Sequence, residues 1–429
     1  MRASLADAPV RLPCHAVAQI GQRESSGINS RHQDWGASLG NCRLLRDRVR
    51  DFAPSLRRAA AGVGGERIMW EKYSDLFLRR RALITVSAAG AFSILADRVR
   101  AQSRIRASQI DGIHYATLAN ATLGINGDLN GDIPFPADNP WNTDIADPKK
   151  YPVDTNSPAI IAHIGAGTNL HADFGPPPYG IPYIVVGAGQ ELVQVRVPEE
   201  GGYRAQSDRG PFPIPPDAPV EGGVSAYREG GDSHVIVLSR SAIPGRTDQL
   251  FEMWRAKRGT DGSWTADSVA AFDVRSNDVR PAFQGRCDIT SADAAGLPIF
   301  PGLVRYDEVV SGRILHALRF TAESTRAAYV PPAMHWASTV NKPNFPPMGA
   351  RLRLKAEYVI PQGFSSETKT ILEAMKRFGL ILADNGGNWY ISGTSDPRWA
   401  KTRVVEELRQ VKGRHFEVLS MNGLRSTCR

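Results

Sequence analysis

The chain has 429 residues, 42% hydrophobic and 22% charged, enough for one large domain or two to three ordinary ones. Its formal charge of +8 invites a polyanion-binding reading, but the excess sits in residues 1–101, with 17 basic against 9 acidic side chains, while residues 102–429 balance at 35 against 35. A basic surface for nucleic acid is therefore excluded for the bulk of the chain, and the absence of a CxxC pair argues against a cysteine zinc site or redox motif.

Residues 1–68 are rich in Arg, Ala and Ser with little apolar periodicity, as in a segment without a core. Met69 lies ten residues before Arg79, so 1–68 reads as an over-extended reading frame or a disordered N-terminus. Residues 69–101 then carry the order of an export signal: the basic Arg79-Arg80-Arg81, an apolar run from Ala82 to Ala96, and a short polar stretch ending Val99-Arg100-Ala101. The run is shorter than the roughly 20 residues a membrane-spanning helix needs. The paired arginines, with Leu83 two residues after Arg81, resemble a twin-arginine signal. Such a signal implies the export machinery as partner, a periplasmic or extracellular destination, and no membrane attachment after its removal. Cys14 and Cys42 precede the signal; Cys287 and Cys428 remain in the mature part, either as one long-range disulfide or as two thiols.

From Gln102 onward, apolar runs such as "AIIAHIG", "YGIPYIVVG", "SHVIVLS", "QLFEMWRA" and "RLRLKAEYVI" alternate with Gly, Pro, Asn and Asp clusters. That is the strand signal, and it predicts a mainly β domain over 102–429, a β-sandwich or jelly-roll-like scaffold with one or two C-terminal helices. "RGPFPIPPDAPVEGG", 209–223, holds five prolines and cannot be a central strand. It reads as an extended connection packed over the surface, or as a sub-boundary. "SSETKTILEAMKRFG" predicts a helix, with a serine cap, an apolar face of Ile371, Leu372, Met375 and Phe378, and Gly379 as left-handed stop. "ILADNGGNWYISG" reads as a hairpin, and Trp399–Val411 as a weaker helix.

Several constellations carry chemistry. "RYDEVVSGRILHALRF" reads as a hairpin turning at Ser311-Gly312, with Tyr306, Asp307, Glu308, His316 and Arg319 as candidate acid, base and charge-neutralising groups; His335 lies downstream. His316 there falls among large apolar residues, which equally suits a hydrogen-bonded core histidine. "ARLRLKAEYVI" places Arg351, Arg353 and Lys355 on one strand face, either solvated or a cationic wall for carboxylates. Trp141, Trp336 and Trp389 are candidates for stacking on sugar rings. His171 with Asp173, and Asp232 with His234, are two HxD pairs suited to a zinc ion or to a histidine oriented by a carboxylate. Asp128, Asn130 and Asp132 have calcium-loop spacing, but Ile133 and Asn139 stand where an EF-hand needs Gly and Glu. No cofactor is certain; a divalent metal, calcium or zinc, stays open. The chain lacks GxSxG, Walker A, HExxH and SxxK, which disfavours nucleotide chemistry and the common serine nucleophiles.

Taken together, "NPWNTDI", "HADFG", "GLVRYDEV", "HALRFT", "PPMGARLRLKA" and "ILADNGGNWYISGTSDPRW" resemble a set of secreted bacterial β-rich proteins without an assigned reaction, in part from polysaccharide-degrading soil bacteria. The resemblance spans roughly residues 125–419; it implies secretion and one integrated unit and carries over no catalytic residue. The expectation is an exported carbohydrate-active enzyme, a glycoside hydrolase or polysaccharide lyase acting on a polysaccharide or oligosaccharide. A non-catalytic secreted carbohydrate-binding or structural protein and a metal-dependent hydrolase are the alternatives.

Overall fold

The computed structural model describes residues 113–240, 247–278, 280, 283, 286 and 289–427. The signal segment, residues 1–68, Cys287 and Cys428 lie outside the described residues. The two main sheets are built from β1 (Gly124–Ile125), β2 (His171–Gly175), β3 (Tyr183–Val186), β4 (Val235–Ser239), β5 (Gln249–Trp254), β6 (Ser268–Asp273), β7 (Leu318–Ala322), β8 (Arg351–Leu354), β9 (Leu380–Asn385), β10 (Tyr390–Ser395) and β11 (Phe416–Val418). Helices are α1 (Ser157–Ile164), α2 (Tyr306–Ser311), α3 (Ser366–Arg377) and α4 (Val404–Leu408). The fold is mainly β and sandwich-like, as composition and patterning predict. Among the described residues no helix is long and apolar enough to cross a membrane.

The five-stranded sheet runs in the order β6-β5-β4-β3-β1 and the six-stranded sheet in the order β11-β8-β9-β7-β10-β2. Strands of the first are apolar on both sides because both faces are covered. Tyr183, Val185, Ile236, Leu250 and Phe272 pack against Phe300 and Leu303. Ile184, Val237, Phe251 and Met253 pack under Phe212 and Ile214 of the proline-rich segment. That segment is thus a packed cover, held by a two-way backbone pairing of Phe212 with Val193. Burial of each such aromatic or aliphatic side chain contributes about 1.5–3 kcal/mol.

The six-stranded sheet is two-sided. Leu318, Phe320, Leu352, Leu354, Leu380 and Leu382 join Ile371, Leu372 and Met375 of α3 in the largest core cluster. Arg319 and Thr321 alternate to the other side: Thr321 is in register with Tyr390 of β10 and, through it, His171 of β2, while Arg319 bonds Ser392, which is in register with Asp173. Helix α3 forms as its pattern predicts: Ser365 Oγ accepts from the Thr368 amide. The weaker C-terminal helix is shorter than its pattern, a 3-10 turn at Pro397–Lys401 followed by α4.

Four expectations are corrected. "AIIAHIG" belongs to α1, because Pro158 opens a first helical turn and Gly165 closes the last with φ 109°. The stretch around 306 is no hairpin: Tyr306–Ser311 is α2, with Asp307 and Glu308 in its first turn and Gly312 as its left-handed cap at φ 78°. Ser311-Gly312 is therefore a helix stop, and the strand that follows begins only at Leu318. β9 and β10 exist but do not pair; β7 lies between them, parallel to β9 and antiparallel to β10. The Asn385–Trp389 turn wraps the end of β7, where Thr321 Oγ1 donates to the Gly387 carbonyl at 2.7 Å and the Gly386 amide donates to Ala322. Finally, β8 ends at Leu354, so Lys355 falls outside the strand that carries Arg351 and Arg353.

Candidate active site

The residues of the expected hairpin fall into two separate networks. The first is enclosed. Arg305 sits at the head of α2 and pairs with Glu308, and its Nε lies 3.4 Å from Asp307 Oδ1. His316, 2% exposed, bonds Glu308 Oε2 through Nε2 at 3.0 Å and donates from Nδ1 to the Ala317 carbonyl at 2.8 Å. Burial pushes the Glu308 carboxyl up, but Arg305 and then His316 outweigh it and hold it below the usual range. Burial raises Asp307 despite Arg305, and its Oδ2 accepts from the Leu129 amide at 3.0 Å. Tyr306 turns its ring edge to Trp399 and lies under the Arg398 guanidinium, 4.5 Å from ring to cation. This network braces α2 against the 129 loop and β7, and it corrects the placement of a substrate-facing acid/base pair on Asp307, Glu308 and His316.

The basic strand face also turns inward. Arg351 donates to the carbonyls of Phe378, Pro140 and Thr143, and Arg353 to Ile145 O and to Glu417. Both guanidiniums clamp the "NPWNTDI" loop to the sheet, so they form no open cationic wall; Lys355 is half-buried at the strand's end. Burial lowers the Arg351 pKa to about 9, with Tyr151 opposing the shift. Trp389, 0% exposed, is a core residue closed to a sugar ring, and Trp141, 2% exposed, is buried as well. Trp389 packs on Phe320 and Phe416, and its indole donates to the Gly165 carbonyl at 2.9 Å. Trp336 is half-buried and stacked on Tyr329. His335 is half-buried, with Nδ1 2.6 Å from the Ala294 carbonyl.

The second network gathers residues that the sequence scattered over four motifs. Arg319 donates to both oxygens of Asp293, to Asp384 Oδ2 at 2.9 Å and to Ser392 Oγ at 2.6 Å. Burial alone would lower its pKa; Asp293 and then Asp384 reverse that and raise it. Beside Ser392 stands Asp173, and in the next register pair His171 stacks on Tyr390 with ring centres 4.0 Å apart. Across from them the proline-rich segment ends at Glu221, whose Oε2 lies 2.6 Å from His234 Nδ1. His234 Nε2 reaches the Ala292 carbonyl at 3.2 Å, so both ring nitrogens face acceptors. Burial works against its charge, but Glu221 overrides it and pushes the pKa up to about 9. Asp232 accepts from the Trp254 indole at 2.9 Å.

Asp173 is the chemically informative member. Its side chain reaches solvent, yet protein surrounds it closely enough that desolvation, followed by the negative charge of Glu221, raises its pKa. Arg319 and His171 pull in the opposite direction, and Asp232 adds to the rise. His171 itself is lowered, first by burial. Behind this surface, Glu252 of β5 is fully buried and accepts from the Ile299 and Phe300 amides at 2.8–2.9 Å. Burial raises it to about 7, with those two amides opposing. The arrangement is an exposed carboxyl with a raised pKa, a second carboxylate whose charge contributes to that rise, and a guanidinium fixed by Asp293, Asp384 and Ser392.

The HxD residues thus meet around one surface, although Asp232 precedes β4 and the strand-face argument does not apply to it. Among the described residues no three His, Cys, Asp or Glu side chains are placed to hold a metal ion. The calcium-spaced oxygens diverge: Asp128 pairs with Arg398, Asn130 donates to Asn120 O and Thr122, and Asp132 accepts from Asn120. The residues that pattern reading missed are Glu221, Asp293, Asp384 and Ser392. No local spacing marks them; the nearest signal was the proline-rich stretch 209–223, read as unable to be a central strand, which contains Glu221.

No protein-family model, curated protein or solved structure matches the chain.

Proposed function

We propose that the protein is an exported carbohydrate-active enzyme that hydrolyses a glycosidic bond on the surface around Asp173. The observation that carries the reading is Asp173, an exposed carboxyl whose pKa is raised by desolvation and by Glu221 and which stands in register with Ser392, the partner of Arg319. Glycoside hydrolysis needs such an acid at the leaving oxygen and a second carboxylate on the other side of the sugar. Glu221, ion-paired to His234, is that second group, with Asp232 beside it. The stacked His171–Tyr390 pair supplies a flat ring surface next to the acid. Hydrolysis is preferred over uronate elimination because His316 is enclosed by Glu308 and Ala317 and Arg353 by Glu417. Export is supported by the order of residues 79–101 and by the resemblance to secreted proteins.

The test is a screen of the purified protein against neutral and acidic polysaccharides, following new reducing ends and the absorbance of unsaturated products. Hydrolysis predicts reducing ends without that absorbance, lost in Asp173→Asn. Unsaturated products would replace hydrolysis with elimination, and no product on any substrate would leave non-catalytic carbohydrate binding as the function. A metal-dependent hydrolysis would show as activity removed by a chelator and restored by zinc or calcium.

A further inference from the structure

A cavity of about 330 Å³ opens away from the polar surface, and none of the residues around Asp173 lines it. Phe135, Trp141, Tyr329, Pro140, Pro332 and Met334 are among its apolar lining. The size suits a single ring with one substituent. Most of the lining is apolar, and the polar side chains among it are already committed. Asn139 accepts from the Trp141 amide and donates to Asn277, which in turn donates to Asp138. Arg280 is buried and bound to Asp208, Gln206 O and Thr290 O. Few groups remain to read the hydroxyls of a sugar.

Two guanidiniums remain. Arg286 and Arg425 both line the cavity, are exposed, and have no acidic partner in any contact among the described residues. Arg286 is steadied over the Phe283 ring at 5.4 Å. Arg425 is set in place by its backbone, which exchanges two hydrogen bonds with Tyr329 of the lining. Among the described residues of the lining Asp278 is the acidic one beside Arg286 and Arg425, and the Arg280 charge is balanced by Asp208. The buried indole N–H of Trp141 has no hydrogen-bond partner. An apolar slot with unpaired guanidiniums at its mouth selects a flat ring carrying a carboxylate, the ring desolvated inside and the anion held by charge-assisted bonds.

We infer that this cavity is a second binding site, for an aryl carboxylate, separate from the surface around Asp173. The probe is benzoate, titrated calorimetrically into the purified full chain, with acetate and benzyl alcohol as the anion without the ring and the ring without the anion. One saturable benzoate site per chain is expected, with both controls at least about tenfold weaker. Arg425→Gln and Arg286→Gln should each weaken benzoate by about tenfold and leave benzyl alcohol unchanged. Both side chains are exposed, so the variants retain the fold. The inference is overturned if benzoate shows no saturable binding at millimolar concentration, if acetate binds as well as benzoate, or if the double variant binds benzoate like the wild type.

Discussion

Arg319 grips Asp293 through two nitrogens, Nε to Oδ2 at 3.1 Å and Nη2 to Oδ1 at 2.9 Å, and this pair ties a strand of the six-stranded sheet to the segment that reaches the other sheet. That segment, Ser291 to Val304, is anchored at its far end as well: Glu252 of the five-stranded sheet receives the Ile299 and Phe300 amides, and Val304 donates to the Ser392 carbonyl. Asp293 is 1% exposed, so its charge depends on Arg319 for compensation. Arg319→Met should therefore cost about 3–5 kcal/mol in urea unfolding, while Arg319→Met with Asp293→Ala recovers part of that loss. A double-variant loss equal to the sum of the Arg319→Met and Asp293→Ala losses would show that the pair is not coupled.

Asp173 gives a pH prediction with a fixed sign. Its pKa is raised, first by desolvation, so as a proton donor it is competent below that pKa and hydrolysis should fall as pH rises through it. The same shift makes the ionised form a liability to the fold: the stability it contributes is present at acid pH and lost on ionisation. Asp173→Asn should accordingly leave the neutral-pH unfolding midpoint no lower than wild type while removing activity. A falling midpoint would make Asp173 a structural residue.

The His234–Glu221 pair loses its contribution in the same direction, as pH rises, but in a window that its own pKa places. With its pKa raised from 6.5 to about 9, His234 stabilises the fold fully below 6.5, and that contribution is lost as pH rises through about 9. Its size is at most about 3 kcal/mol. In Glu221→Gln only burial remains as the main influence, so the imidazole should titrate below its ordinary value. An NMR titration of the His234 ring resonances checks this; an unchanged midpoint near 9 would assign the shift to another group.

Gly379 closes α3 at φ 74°, and a Cβ there would meet the Leu352 carbonyl oxygen at 2.2 Å. Gly379→Ala should therefore cost clearly more than the roughly 1–2 kcal/mol of a left-handed alanine alone. Thermal unfolding of the variant measures it, and a cost within the ordinary range would mean the β8 backbone can yield.

The sequence by itself determined the elements whose cause is local. Strand-length apolar runs fixed the mainly β class, and Ser365, the Ile371–Phe378 face and Gly379 fixed α3, because caps and periodicity act within a few residues. The stretch around Tyr306 shows where that logic ends. An alternating polar pattern was compatible with a strand, but Asp307 and Glu308 at a helix start and Gly312 at its stop were equally local signals, and burial of Arg305 and His316 decided between them. Pairing lay further out of reach. Asn385-Gly386-Gly387 has hairpin chemistry, yet β7, some sixty residues earlier, enters between its two strands. The candidate site is the extreme case: Asp173, Glu221, Arg319 and Ser392 are brought together by sheet register and by the path of the proline-rich cover. Which carboxyl has its pKa raised depends on desolvation and on charges that only tertiary packing brings near, so residue type could nominate Asp173 while the fold alone set the direction of its shift.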